Sequence, residues 1–455
     1  MNPAKVRIIG AGLAGSEAAW QLVKRGVGVE LCEMRPGMMT KAHRSGLCAE
    51  LVCSNSFRGA DLSNAVGLLK EELRLWGSLV MEAADFARVP AGGALAVDRS
   101  VFSAYIDERL RTHPLVEFVT GEVEQVPETS KNAPVVIAAG PLASPALSKS
   151  ILALTGEKHL AFYDAISPVI LGESIDLGIC FRQSRYDKGG GADYLNIPLT
   201  REQYYDFVSA IERAEKHEPH LEIESPAGEE LRPFEGCMPI EDMVSRGPDT
   251  LLFGPFKPVG LVDPQSGKRP YAVVQLRQDD KDGALWSMVG MQTRMKHPEQ
   301  MRIFKTLPGL ARAEFVRLGS VHRNTFINSP HCLEATLRFR KREGLFFAGQ
   351  ITGSEGYVES TAGGLAAGIN AAHLAQGKDL VVFPQETAIG ALLAYISDPE
   401  RKDFQPMNIS YGLMPSYLQM ERRDAAGKKL GKKERRIAAA QISLEKTKEL
   451  ALVLK

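Results

Sequence analysis

The chain opens on an apolar run rich in β-branched residues, Lys5-Val-Arg-Ile-Ile9, that stops at Gly10. A short apolar run ended by glycine predicts a buried strand. From Ala14 to Lys24 the apolar positions recur at helical spacing, and Gly26 supplies a C-cap. Val27 to Glu33 reads as a second strand ending on an acid. Strand, glycine turn, helix and strand in that order predict a βαβ unit. Val135-Val-Ile-Ala-Ala-Gly140 is a further strand for the same sheet. Beyond about Ser150 this rhythm gives way to short strands, turns and Pro/Gly punctuation as far as Val321. It returns at Leu345-Phe-Phe-Ala-Gly349, followed by a glycine-rich helix from Gly363 to Gly377 and a helical stretch from Pro384 to Ser397. The tail beyond Glu421 is amphipathic and basic. The expected architecture is α/β: a two-segment Rossmann-like domain (residues 1–150 and 323–455), an inserted α+β domain facing the substrate (151–322), and a basic C-terminal helical tail.

The turn between the first strand and helix reads Gly10-Ala11-Gly12-Leu13-Ala14-Gly15. In a G-x-G-x-x-G turn the first glycine permits the tight bend, the second lets backbone approach a pyrophosphate, and the third lets helix and strand pack closely. Phosphates there meet free N–H groups and the positive end of the helix dipole. Glu33 closes the second strand where an acid accepts hydrogen bonds from ribose hydroxyls. The turn alone does not separate FAD from NAD. The late segment Phe346-Phe-Ala-Gly349-Gln350, with Gly353, Tyr357, Gly363 and Gly364, resembles the second contact region of two-segment flavoproteins, so the expected cofactor is FAD.

A chain of 455 residues exceeds one ordinary core. Its net charge of zero leaves a nucleic-acid partner open, because charge is unevenly spread: Arg422, Arg423, Lys428, Lys429, Lys432, Lys433, Arg435 and Arg436 crowd the tail. Arg338, Arg340, Lys341 and Arg342 form a second basic run; both runs are candidates to meet RNA phosphate, a solvated face is the commoner meaning of such a run, and the eight basic residues of the tail tilt it toward RNA. No apolar window spans a bilayer and the N-terminus does not read as a signal peptide, so a cytoplasmic protein without a membrane partner is expected. Six cysteines there are no disulfide framework, and none has zinc spacing, so no metal is expected.

Cys48 and Cys53 stand five apart, like the redox pair of flavin disulfide reductases. Such enzymes carry a second G-x-G-x-x-G turn for NADPH in mid-chain. The only mid-chain glycine cluster, Gly189-Gly190-Gly191, follows no apolar strand, which argues against that class. Cys32, Cys180 and Cys332 read as buried filler. Cys53 lies beside Ser54, Asn55 and Ser56, whose donors suit a thiolate. Cys237 lies between Gly236 and Pro239, with Glu235 and Glu241 near enough in sequence to handle protons.

Several segments together resemble the TrmFO family of folate- and FAD-dependent tRNA (uracil-5-)-methyltransferases. They include Glu33-Met-Arg-Pro36, Leu51-Val-Cys-Ser-Asn-Ser-Phe-Arg58, Glu235-Gly-Cys-Met-Pro-Ile-Glu241, Val274-Gln-Leu-Arg277, Gly319-Ser-Val-His-Arg-Asn-Thr-Phe-Ile-Asn-Ser-Pro330 and Gly349-Gln-Ile-Thr-Gly-Ser-Glu-Gly-Tyr-Val-Glu-Ser360. The likeness runs from the first strand to about Leu418. It implies methylation of C5 of a tRNA T-loop uridine (position 54), with methylenetetrahydrofolate as one-carbon donor, NAD(P)H reducing the flavin, and the flavin N5 carrying the methylene group. Uracil C5 is a poor nucleophile until a group adds to C6, and a thiolate suits that addition. The resemblance makes Cys237 the C6 nucleophile and Cys53 the base or a guard of the flavin, with the division of roles open. His322, Arg323 and Asn324, in the matching stretch, are candidate folate contacts, for which a structural polar run inside a packed loop is the commoner meaning. Tyr357, a planar phenol next to Gly356, is a candidate to stack on flavin or pterin, with core packing at a helix start as the equal alternative. A ribosomal RNA methyltransferase of the same chemistry stays open. A GidA-type wobble-uridine modifier is disfavoured by the short tail and by Cys53 within Cys-Ser-Asn-Ser-Phe. Oligomeric state is not legible in the sequence.

Overall fold

The computed structural model of the chain describes residues 5–40, 42–156, 160–217, 238–401, 404–421, 423 and 429–454. Strand β1 (Lys5–Ile9), helix α1 (Leu13–Val23) and strand β2 (Gly28–Glu33) form the expected βαβ unit. They belong to a five-stranded parallel sheet in the order Leu345–Phe347, Val135–Ile137, β1, β2, Val116–Thr120. Val135, Val136 and Ile137 are all buried, as befits a strand covered on both faces. Ile9 pairs with both Cys32 and Ile137, and Phe347 with Ile137, so the carboxyl ends of the central strands lie level on one edge. In such sheets the crevice beyond that edge is where ligands bind.

Helix α1 is clamped between this sheet and the helix Tyr357–Ala375. The clamp explains two glycines. A Cβ on Gly364 would lie 2.2 Å from the Ala14 carbonyl oxygen, and one on Gly368 would lie 2.6 Å from that of Ala18. One bare turn-to-turn stripe on the late helix therefore seats on the alanines of the first. This helix starts at Tyr357, six residues before the expected Gly363. Its opening residues are polar enough to read as loop, but Glu359 is fully buried and paired with the Arg58 guanidinium.

Six strands drawn from between Val169 and Arg317 build an antiparallel sheet, ordered Phe181–Arg182, Tyr194–Leu199, Ala272–Gln278, Leu285–Met288, Val169–Leu171, Phe315–Arg317. It has its own apolar core, in which Tyr204, Phe207, Phe256, Phe304 and Trp286 are buried. Helix Arg201–Arg213 begins at a Thr200/Gln203 capping box and buries Tyr204, Phe207, Val208 and Ile211, an i, i+3, i+4, i+7 stripe. Two smaller antiparallel units are present: Leu160–Ala165 with Val321–Phe326, and Ser56–Gly59 with Ala94–Val97 and Arg88–Val89. The three short strands of the latter are too brief to leave a period in the sequence.

The C-terminal helix, Lys432–Val453, packs on helix Ala65–Leu75. The buried Glu72 carboxylate accepts from Ser443 Oγ of the first and from the N–H groups of Ala388 (2.7 Å) and Ile389 (2.9 Å), which open helix Ala388–Ser397. One side chain thus ties three helices. Among the described residues no helix is long and apolar enough to cross a membrane.

Candidate functional site

A cleft, partly open to solvent, lies at the carboxyl edge of the parallel sheet. Its floor is Gly10, Gly12, Leu13 and Ala14. Glu33 and Arg35 form one wall, Ala138 to Ser144 another, and Gly349, Gln350, Tyr357 and Ser360 close it. The glycines of the turn play separable parts. Gly10 has φ +99°, and a Cβ there would sit 2.6 Å from the Ala138 carbonyl oxygen. A Cβ on Gly15 would lie 1.8 Å from the Gly10 oxygen, so that residue serves helix–strand contact. Gly12, the N-cap of α1, has an ordinary φ of −70°, and a Cβ on it would meet nothing within 4 Å. Protein packing does not require a glycine there. The bare position instead keeps the space before the helix N-terminus clear, which fits a dinucleotide pyrophosphate.

Ala11 donates its N–H to Glu33 Oε2 at 2.8 Å, joining the turn to the end of β2. Glu33 Oε1 accepts from the Arg35 backbone N–H (3.1 Å) and Nε (2.9 Å). Burial pushes the Glu33 carboxyl up, but the hydrogen bond and charge of Arg35, with the Ala11 N–H, outweigh it and hold the group below its ordinary value. A carboxylate has about four acceptor sites, so with these three bonds about one direction remains for a ribose hydroxyl. Arg35 is itself buried and reaches Glu50 Oε2 at 3.3 Å. Sequence reasoning passed over Arg35 and Glu50. The Glu33-Met-Arg-Pro segment was the available signal.

In the late segment Gly349 (φ +82°) and Gln350 line the cleft. Gly353, Gly363 and Gly364 do not. Gly353 lies under the Phe404 ring, where a Cβ would be 2.4 Å away; a Cβ on Gly363 would lie 3.2 Å from the Gly349 nitrogen; Gly364 seats on Ala14. These three act on the cleft through packing.

Tyr357 spans the cleft and the Cys53 loop. Its hydroxyl accepts from the backbone N–H groups of Cys53 (2.9 Å) and Ser54 (3.1 Å). Its ring lies tilted against Phe57, with centroids 5.7 Å apart. Burial, and then the proximity of Cys53, raise its pKa, so the hydroxyl stays protonated well into alkaline solution. The Cys53 thiol is half-buried, with Sγ 3.9 Å from the Ala165 carbonyl oxygen. Asn55 donates to the carbonyls of Val97 (3.0 Å) and Gln278 (2.9 Å), fixing the loop between two sheets.

Among the described cysteines, Cys32, Cys48, Cys180 and Cys332 are buried and Cys53 is half-buried. Burial, then Glu30, push Cys32 up to about 11, and burial, then Asp176, do the same for Cys180. Burial, reinforced by Asp107, raises Cys48 well above a normal thiol. That is the reverse of an exchanging cysteine. Cys237 and Glu235 lie outside the described residues. Glu241 is buried, accepts from Thr293 Oγ1 and is raised chiefly by burial.

His322, Arg323 and Asn324 lie on the strand Val321–Phe326, rather than in a loop, with backbone partners Asp164, Tyr163 and Phe162. Asn324 is buried. The next residue, Thr325, donates Oγ1 to Pro141 O at 3.2 Å, which brings this strand against the cleft wall. In the basic tail, Arg422 and Lys428 are outside the described residues. Lys432 and Lys433 are exposed at the helix start, whereas Arg435 and Arg436 cover Tyr417 and Tyr411 at 5.1 and 5.5 Å. In the second basic run, Arg338 pairs with Glu334, Arg342 pairs with Glu128, and Arg340 donates to the Ser397 carbonyl.

Residues 5–379 match the family model described as glucose inhibited division protein A. The chain is 56% identical over 440 residues to a Heliobacterium modesticaldum protein named methylenetetrahydrofolate–tRNA-(uracil-5-)-methyltransferase TrmFO, covering 97% of this chain and 96% of that one. It is 57% identical over 410 residues to the Listeria monocytogenes serotype 4b protein of the same name, covering 90% and 92%. Among solved structures, Aquifex aeolicus GidA in its form I crystal superposes with a TM-score of 0.70 at 16% identity, over 99% of this chain and 76% of that one. That likeness concerns the fold. Near-complete coverage at such identity places the chain in the TrmFO family, within the wider GidA group of flavoprotein folds.

Proposed function

We propose that this chain methylates uracil C5 in tRNA, at T-loop position 54, with methylenetetrahydrofolate as one-carbon donor and NAD(P)H as reductant of its FAD, in the cytoplasm. The observation that carries the reading is the half-buried Cys53 thiol, tied through Tyr357 to the wall of a cleft whose Gly12 leaves room for a pyrophosphate. The names of relatives more than half identical along nearly the whole chain support it.

Bound FAD would supply the electrons that turn a transferred methylene into a methyl group. The chain's own residues do the rest. The N-terminus of α1 receives the pyrophosphate, and Glu33 orients a ribose. Cys237 adds to uracil C6, so that C5 acquires enolate character and can attack the one-carbon unit. Cys53 takes the C5 proton once the one-carbon unit is attached, or shields the flavin before the base arrives. When the C5 methylene is reduced to methyl, the C6–S bond breaks, which restores the C5=C6 double bond and returns the Cys237 thiolate. His322, Arg323 and Asn324 hold the folate, on the strand next to Pro141. The base has to leave the T-loop stack to reach this cleft, and Lys432 and Lys433 meet backbone phosphate.

The disulfide-reductase alternative is disfavoured by the buried, acid-flanked Cys48. The test is incubation of the purified protein with unmodified tRNA, methylenetetrahydrofolate and NADPH, then mapping of 5-methyluridine by nuclease digestion and mass spectrometry. Methylation of a ribosomal fragment in place of the T-loop would overturn the tRNA assignment. A Cys237→Ala variant with the full wild-type rate would remove the nucleophile.

A further inference from the structure

The Cys53 loop is held mainly by arginines that come from elsewhere. Arg277, on strand Ala272–Gln278, donates Nε to Asn55 Oδ1 (2.9 Å) and Nη2 to Ser54 Oγ (2.8 Å). Arg317, on strand Phe315–Arg317, donates Nη1 to the Val52 carbonyl (3.0 Å) and Nη2 to that of Cys53 (3.4 Å). Arg99, from the parallel-sheet side, donates Nη1 to the Leu51 carbonyl (3.3 Å). Among these groups the one carboxylate is Asp279, already bonded to Arg99 (3.2 Å) and Ser287 Oγ (2.8 Å). Three guanidiniums thus face one acid around a loop, Leu51 to Asn55, that carries no formal charge of its own.

Such an arrangement is costly if hydrogen bonding is its only purpose. Arg277 is buried, and the Nε atoms of Arg99 and Arg317 are buried with no partner among the described residues. Arg317 is pushed down to about 10, first by burial and then by the charge of Arg99. Neutral amides could donate to the same carbonyls without burying charge. The one group of the loop able to use that surplus positive charge is the Cys53 thiol, flanked by the Val52 and Cys53 carbonyls that Arg317 holds and by the Ser54 hydroxyl that Arg277 holds.

We propose that Arg277 and Arg317 are positioning residues for the Cys53 thiol, through which the six-stranded sheet sets both the place and the electrostatic surroundings of that sulfur at the cofactor cleft. The inference deepens the functional reading and rests on it for its purpose, but its test does not depend on RNA or folate.

The experiment alkylates the purified full-length chain with iodoacetamide and follows the Cys53 peptide by mass spectrometry at pH 7 and pH 10. Arg317→Gln keeps hydrogen-bond donors and loses the charge; Arg317→Lys keeps the charge. The Gln variant is expected to react about tenfold more slowly than wild type at pH 7, with the two rates converging at pH 10. The Lys variant is expected to stay within about twofold of wild type at both. A slowing of equal size at both pH values, or Gln and Lys variants that behave alike, would overturn the proposal. Should the Arg317 variants fail to fold, the same pair at Arg277 carries the same test. A chain that never methylated tRNA would still return a clear result, so failure here and failure of the proposed reaction are separable.

Discussion

The Tyr357 hydroxyl accepts a 2.9 Å hydrogen bond from the backbone N–H of Cys53, a residue 304 positions earlier in the chain. Together with the bond from Ser54, this makes one phenol oxygen the acceptor for two consecutive amides of the loop. Tyr357→Phe leaves both donors without that acceptor. The expected loss is about 2 kcal/mol, measured as a lower denaturant midpoint, with flavin still bound. An unchanged midpoint would mean that water or a neighbour replaces the hydroxyl at no cost.

Gly12→Ala and Gly15→Ala should separate cofactor binding from folding. The methyl group at Gly12 meets no protein atom, so the apoprotein should melt as wild type while bound flavin falls by about tenfold or more. At Gly15 the methyl would collide with the Gly10 carbonyl, and the expected result is a destabilised chain, by about 3 kcal/mol. Flavin absorbance and thermal melts on the same preparations check both. Full flavin occupancy in Gly12→Ala would show that the pyrophosphate lies elsewhere.

Glu72 introduces a pH dependence of known sign. Burial pushes its carboxyl up to about 7 against the pull of three donors, so the folded state holds the proton more tightly than the unfolded chain does. Its contribution is fully present below the unfolded value near 4.5 and is lost as pH rises through about 7. Wild type should therefore lose up to about 3 kcal/mol relative to Glu72→Gln between pH 5 and pH 8. Denaturation curves for the two proteins that stay parallel across that range would refute the assignment.

The exposed start of the C-terminal helix should matter to RNA in a salt-dependent way. Replacing Lys432 and Lys433 with Ala is expected to weaken tRNA binding and to flatten the plot of log affinity against log salt by about 1.5. Arg436→Ala should in addition lower thermal stability, because that guanidinium covers Tyr411 and donates to the Ser63 carbonyl at 3.2 Å. A salt slope identical to wild type in the double lysine variant would remove these residues from the RNA surface.

Much of the parallel-sheet domain was legible because its signals are local. A five-residue apolar run, a glycine turn and a terminal acid need no knowledge of the rest of the chain. Gly353, Gly363 and Gly364 were read with the cofactor contacts because a glycine kept bare for a ligand and one kept bare for a helix look alike in sequence. Only the neighbours tell them apart: empty space at Gly12, the Ala14 carbonyl at Gly364. Arg277 and Arg317 left no local trace of their role, since their partners lie 222 and 264 positions away. Glu33 was found from its spacing, but Arg35, its nearest counter-charge, was not, because an arginine two residues past a strand has no periodic signature.

The seating of Gly364 and Gly368 on Ala14 and Ala18 has a consequence for how the protein is made. The first strand, turn and helix are synthesised early, yet the Ala14 and Ala18 stripe of α1 is covered by residues near 364 and 368. Gly349, Gln350 and Tyr357, which close the cleft, arrive just before them. On the ribosome, the nascent chain therefore holds half a nucleotide site and a bare stripe of small apolar residues for some 350 residues of elongation. Flavin capture becomes a late event that waits for residues 349–375, and a chain that stalls before residue 375 would present that stripe to chaperones and proteases instead of to FAD.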